Sequence, residues 1–489
     1  MNLDKKKEAN IFWFKKDLRL YDNEALESAV NSDKPLILIY SFEPSLWLQR
    51  DSSYRQFKFA YESVQDLKNT CNKNNLVLNI LREEILDILI YINDRFKIKN
   101  LYSHQETGNM WSFKRDLQVK SWCDYNNVGW SEVSQFGVIR VLKDRDGWAS
   151  KWYHQMSLAE TNNRLNFKTL RIKEDAKITA TSLNLKQDGI KESQIGGRDH
   201  GLSYLYSFFK ERGENYSKEM SSPVTAFDSC SRISPYLAYG CISVRETYQY
   251  AEKIKRSLGL KNSLWKRSIN SFTGRLRWHC HFIQKLEDEP ELEFKAMHPM
   301  YDELDRTNNE KFFKVWSTGN TGFTMVDSSM RALILHGWIN FRMRAMLVSF
   351  ATNHLWLDWR IVAEYLAKLF IDYEPGIHYS QIQMQSAVTG INAIRIYNPI
   401  KQAVDQDKEG TFIRKYIPEL KDVSTSNLSC PSNEPLLIGD YPLPIVDEAV
   451  SRRQAAKKLY DLRKEDNFND IAKIIIKKHA SRKTRKKKV

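Results

Sequence analysis

Apolar positions change their period part-way along the chain. Up to about residue 130 they fall in short runs at 11–14, 36–40, 76–80 and 100–103, which read as strands. Between them lie stretches of helical spacing: Glu24–Val30, the segment carrying Phe57, Tyr61, Val64 and Leu67, and residues 85–96. Strands alternating with helices predict a parallel sheet covered on both faces. From Gly196 to about residue 475 the spacing is helical almost throughout. Leu202, Leu205, Phe208 and Phe209 share one face, and Met330, Leu333, Ile334 and Trp338 another. Met343, Met346, Leu347 and Phe350 form the next, and Ile361, Val362, Tyr365, Leu366, Leu369 and Phe370 a further one.

These patterns predict an α/β parallel-sheet domain over 1–130 and a larger all-α domain over 196–475. Residues 131–195, with the turn-rich LKDRDGWASKW and the polar KITATSLNLKQDGIKES, are expected to connect the two across the surface. Residues 476–489 read as a basic, disordered tail. No internal repeat is apparent.

Charge narrows the partners. Seventy-five Lys and Arg against sixty Asp and Glu leave a net +15, with a pI near 9.2. That surplus favours a polyanion, most simply nucleic acid, over a merely solvated lysine-rich surface. The six cysteines are scattered without a CxxC pair, which speaks against structural zinc, an iron–sulfur cluster and a disulfide framework. A cytoplasmic, reducing setting is expected, with no bound metal. MNLDKKKEAN lacks the apolar core of a signal peptide, and no apolar run is long enough to span a membrane.

Residues 321–399 concentrate the chemistry. Arg342, Arg344, Arg360 and Asp372 stand in largely apolar surroundings, where charges must be paired or bound to a polar ligand. Small hydroxyl residues precede a proline-started helix in CSRISP (230–235), a setting suited to phosphate. There is no GxGxxG fingerprint. His279 and His281, two apart on one helix, point to different faces and do not share a metal.

Five blocks in this order carry a resemblance: TGFTMVDSSMR, GWINFRMR, SFATNHLWLDWR, the Asp372 loop and RIYNP. They resemble the flavin-binding region of the photolyase/cryptochrome family. FWFKKDLRLYDNEAL (12–26) and HQETGNMWSFKRDLQVKSWC (104–123) are similar to its N-terminal blocks. The resemblance implies FAD, bound through Tyr216, Ser231, Arg232, Ile233, Ser234, Arg277, Arg344, Asp372, Tyr373 and Glu374. It implies an antenna chromophore of folate or deazaflavin type in the first domain, for which Glu106 and Asn109 are candidates alongside a plain capping role.

The resemblance also marks departures. Where pyrimidine-dimer photolyases face the lesion with Glu and Trp, the matching positions read as Thr273 and Leu276. Phe341 and Ala345 replace an Asn and a Met, while Arg342 is kept, so Thr273, Leu276, Phe341 and Arg342 are the expected DNA contacts. His378 replaces an Asn beside the flavin and is the candidate proton donor. Of the three relay tryptophans only Trp359 keeps its place, because Ile382 and Met384 stand where the others belong. Trp356, three residues earlier, is expected on the same helical face. The implied function is light-driven repair of pyrimidine dimers in DNA by a monomeric lyase with an altered lesion pocket. The alternative is a cryptochrome-like photoreceptor that signals rather than repairs.

Overall fold

Strand β1 (Lys7–Trp13) ends in a run of five buried residues, and its alternate side chains enter different cores. Ala9, Ile11 and Trp13 go to one face of the sheet, Phe12 and Phe14 to the other. Strand β2 (Leu36–Ser41) divides in the same way, with Ile37 and Ile39 on the first face and Leu36 and Leu38 on the second. A strand with both faces covered carries no polar alternation, which is why these segments read as unbroken apolar runs. The computed structural model describes residues 6–162, 164–258 and 263–480.

With β3 (Leu78–Leu81), β4 (Phe96–His104) and β5 (Gly129–Val133) the sheet has the order β3-β2-β1-β4-β5, and every pairing is parallel. The first face packs on the helices Ile85–Arg95 and Met110–Tyr125 through Ile88, Leu89, Ile92, Val119 and Cys123. The second packs on Glu24–Val30 and Tyr54–Lys73. That second core does not stop at the sheet. It runs on through Leu205, Phe208, Tyr236, Phe272 and Ile283 of the helical half.

Two sequence expectations need correction here. Residues 131–195 do more than cross the surface. They form a helix, Trp148–Ser157, whose Trp148, Trp152 and Met156 are buried in the shared core. They also lie along β2 and β3, where Leu170 N–H donates to Leu36 and Asn79 donates to Leu170. The tail expected from residue 476 begins inside a helix, Phe468–His479. His479 is buried, its Nε2 lying 2.8 Å from Glu289. Residues 481–489 of the expected tail lie outside the described residues.

The opening block joins the two halves. Asp17, Arg19 and Asp22 are buried. Asp17 meets His104 at 2.8 Å, Arg19 donates to the carbonyl of Gly240 at 2.9 Å, and Asp22 takes Ser243 and Arg245. Gly240 has φ +65°, and a Cβ there would stand 2.1 Å from the Lys16 carbonyl oxygen. Only glycine tolerates both the turn and the close approach.

A second core gathers the helices Thr324–His336, Phe341–Ser349, Trp359–Leu369 and Pro375–Gln385. The long helix Ser263–Asp288 packs along Pro375–Gln385. Among the described residues no helix is long and apolar enough to cross a membrane.

Candidate functional site: an arginine–aspartate pair and a strained turn

Arg344 and Asp372 come from different elements. Arg344 lies one turn inside Phe341–Ser349, whose preceding Asn340 donates to the carbonyls of Met220 and Ser221. Asp372 lies in the loop leaving Trp359–Leu369, a helix begun by an Asp358 cap that accepts from the Arg360 N–H. Pro375 opens the next helix at a position where its missing N–H costs nothing. The pair is bidentate, with Nη1 to Oδ1 at 3.0 Å and Nη2 to Oδ2 at 2.9 Å. The guanidinium also covers the Phe370 ring at 4.2 Å and lies 5.9 Å from Trp338.

The 230–234 turn faces the same tryptophan. Arg232 has φ +59°, unusual for a side chain with a Cβ and costly by about 1–3 kcal/mol. Two fixtures hold it there. Gln194 donates to its carbonyl at 2.8 Å, and the Arg212 guanidinium binds the carbonyls of Asp228, Cys230 and Ser231. The strain aims the Arg232 guanidinium between Trp338, at 4.2 Å, and Phe227, at 4.8 Å. Its buried Nε has no hydrogen-bond partner among the described residues, and burial pulls its pKa below the ordinary value. The Arg342 Nε is orphaned in the same way. Buried guanidinium Nε–H groups without an acceptor suit a multiply charged anion, and the diphosphate of a dinucleotide is one.

Other expected cofactor contacts resolve differently. The Tyr216 hydroxyl accepts from Arg275 Nε at 2.7 Å. Arg277, expected at the cofactor, instead donates to the Tyr153 hydroxyl at 2.9 Å on the outer side of the helix. Two residues are about 200° of helix, so Arg275 and Arg277 leave from opposite sides. The side chains of Tyr373 and Glu374 turn to the strand ends. Tyr373 donates to Asp51 at 2.6 Å, and Glu374, raised in pKa by burial, meets Lys16 at 3.5 Å.

His378, the expected proton donor, is engaged within the fold. His378 is buried against Tyr373 and Tyr379, and its Nε2 lies 2.9 Å from the Ala363 carbonyl. A carbonyl only accepts, so Nε2 carries the proton and Nδ1 is bare. Burial lowers the pKa to about 4, so the ring is neutral and anchored at pH 7. Trp359 is buried under the Arg360 guanidinium. Trp356 does not share its helix face: it precedes the helix with φ +54° and donates to the Asp305 carbonyl.

The expected DNA contacts divide. Phe341 is 53 % exposed, three residues before Arg344, and Arg342 Nη2 approaches Ser221 at 3.5 Å. Leu276 is only 4 % exposed and belongs to the shared core, so it cannot meet a ligand from outside. The Thr273 hydroxyl is turned back to the Ile269 carbonyl at 3.1 Å. The accessible pair with the same spacing is Arg275 and Trp278, and Trp278 is 45 % exposed. Sequence reasoning missed both. The mark that points to them is a large aromatic on the polar face of an otherwise amphipathic helix.

A separate cleft opens at the carboxyl ends of β1, β2 and β4, where ligands of parallel sheets sit. Glu106 and Asn109 both line it. Each is also engaged in structure: Asn109 caps Met110–Tyr125 and donates to Asp51, and Glu106 pairs with Arg115 at 2.6 Å. Tyr373 and Pro375 form part of its lining from the helical half.

Comparison with known proteins agrees with this geometry. Residues 10–141 match the family model "DNA photolyase", and residues 272–461 match "FAD binding domain of DNA photolyase". The chain is 27 % identical to the deoxyribodipyrimidine photo-lyase of Buchnera aphidicola over 91 % of its own length and 95 % of the relative's. It is 25 % identical to cryptochrome DASH of Xenopus laevis, over 88 % of each chain. In fold it is similar to a class III photolyase from Agrobacterium tumefaciens, with a TM-score of 0.83 at 22 % identity, covering 95 % of this chain and 100 % of that one. An archaeal photolyase from Sulfolobus tokodaii, solved with two FAD molecules, gives 0.79 at 24 % identity, over 93 % of this chain and 99 % of that one. With its parallel sheet, its FAD-binding helical half and these relatives, the chain belongs to the photolyase/cryptochrome family.

Proposed function

We propose that this protein is a light-driven lyase that splits pyrimidine dimers in DNA. The observation that carries the reading is the pair of exposed aromatic rings, Trp278 and Phe341, on the elements that bear Arg275 and Arg344. Large exposed rings set beside arginines suit unstacked bases with flanking phosphates. A dimer must leave the duplex to reach a buried cofactor, and rings at the mouth of the site offer it a stack in exchange. The surplus of basic residues supports the same partner.

Arg344 and Asp372 would hold the flavin ring, with the backbone of Tyr373 and Glu374 beside it. Ser231, Arg232, Ile233 and Ser234 would hold the diphosphate, with Tyr216 oriented by Arg275. Reduced FAD, when bound, supplies one electron under blue light. The chain's own residues position it, exclude water and balance its charge. His378 acts as a fixed wall of the site, neutral and bound to Ala363, and supplies no proton at neutral pH. The cleft at the strand ends is the place for a second chromophore of folate or deazaflavin type.

Reduced protein under blue light should restore oligonucleotides that carry a cyclobutane or a (6-4) dimer, followed by chromatography in single and double strands. Restoration of neither dimer removes the reading. Light-dependent change of the flavin redox state without repair selects the photoreceptor instead.

A further inference from the structure

Gly274 stands near the middle of the 26-residue helix Ser263–Asp288. Glycine is the poorest helix former after proline, so a packing reason is expected. Other helical glycines here have one. A Cβ at Gly201 would stand 2.9 Å from the Tyr236 ring, and one at Gly376 would stand 2.6 Å from Ile283 Cα. At Gly274 a Cβ would meet nothing within 4 Å among the described residues. The helix gives up stability there, and none of the described residues uses the room.

What surrounds the open position is a track of rings and cations. Trp278 lies one turn on, on the same face, its ring supported by Phe282 at 5.5 Å. Arg275 is adjacent and exposed. Beyond Trp278, Arg277 donates to the hydroxyl of Tyr153, whose side chain is 43 % exposed. Tyr153 belongs to the helix Trp148–Ser157, so the track leaves the helical half and continues onto the segment that joins it to the sheet.

We propose that Gly274 is where the backbone of a DNA strand crosses this helix, beside Arg275, with one base on Trp278 and a further nucleotide reaching Tyr153. The inference rests on the DNA reading above. The occupant is the dimer-bearing strand: phosphate suits the arginines, and a sugar edge needs the close approach that a bare helix backbone allows. Stacking on Trp278 and Tyr153 tolerates any base, so the track sets the length of the footprint and leaves sequence unread.

Gly274→Ala and Tyr153→Ala test it, with dimer-bearing oligonucleotides of graded length and fluorescence anisotropy as the readout. Gly274→Ala should melt about 1 °C higher than wild type, since alanine favours the helix. It should keep the flavin absorption spectrum and bind the strand about tenfold more weakly. Tyr153→Ala should lose affinity for longer oligonucleotides only. Unchanged affinity in Gly274→Ala, with the melting temperature raised, overturns the crossing. Unchanged affinity of Tyr153→Ala at every length ends the track at Trp278. A wild-type protein that binds no dimer-bearing DNA fails the photolyase reading itself, an outcome distinct from both.

Discussion

Replacing Arg232 with methionine separates stability from cofactor binding with opposite signs. In the protein alone, the Arg232 guanidinium is largely buried, its Nε has no acceptor among the described residues, and the rings of Trp338 and Phe227 favour its charge. Those two ring contacts together contribute about 1–2 kcal/mol. An orphaned polar group costs about 1–3 kcal/mol. The two nearly cancel, so Arg232→Met should leave the melting temperature of FAD-free protein equal to or above that of wild type. The methionine keeps the turn's φ of +59° and fills the space over Trp338. With FAD bound, the same guanidinium gains charge-assisted hydrogen bonds worth about 1.5–3 kcal/mol. Losing them should weaken FAD binding about 10–100-fold. The assay is a paired one: thermal unfolding without cofactor, and titration of the FAD-free protein followed by flavin fluorescence. Wild-type affinity for FAD in Arg232→Met refutes the reasoning, because the orphaned Nε would then have no anion to serve. A large loss of stability in the FAD-free variant refutes it from the other side.

Further consequences can be measured in the same way. Asp372→Asn leaves Arg344 without its bidentate partner and should lower stability by about 2–4 kcal/mol, read by denaturant unfolding, and release FAD on dialysis. His378 has a pKa depressed to about 4 against an ordinary 6.5, so the unfolded chain binds the extra proton first. Its stabilising contribution, up to about 3 kcal/mol, is complete above pH 6.5 and is lost as pH falls from there toward 4. His378→Asn should flatten that part of the stability–pH curve while leaving the pH profile of photoreduction between 6 and 8 unchanged; a lost step in that profile restores the proton-donor role. Gly240→Ala forces a Cβ into the Lys16 carbonyl at a positive φ and should destabilise the whole chain by more than about 2 kcal/mol, seen as a lowered denaturant midpoint.

The sheet and the Arg344–Asp372 pair were legible because each leaves a local mark. Strands buried on both faces appear as unbroken apolar runs, and an arginine and an aspartate amid helical apolar spacing announce a buried charge pair. Strand β5 left no such mark, since GWSEV at the sheet edge carries a single bulky apolar residue between exposed positions. The accessible pair on the long helix stands two residues beyond the expected one. In SFTGRLRWHC both Thr273/Leu276 and Arg275/Trp278 have the i, i+3 spacing, and a shift of two turns the helix by about 200°. Spacing alone cannot choose between those registers, whereas burial of Leu276 and exposure of Trp278 do. The junction of Arg19 and Asp22 was hidden for another reason: their partners Gly240, Ser243 and Arg245 lie more than two hundred residues away in the chain. The type of His378 suggests titration near neutrality, while burial, which the sequence does not show, lowers it.

One apolar core runs from Phe12 in the sheet to Ile283 in the helical half. Neither half can therefore be cut free without stripping oil from the other, and a gene fragment encoding residues 196–480 alone should yield aggregate instead of a flavin-binding piece. The cleft at the strand ends and the Arg344–Asp372 site are thus inherited as one object, which fixes the distance between them against drift at either end.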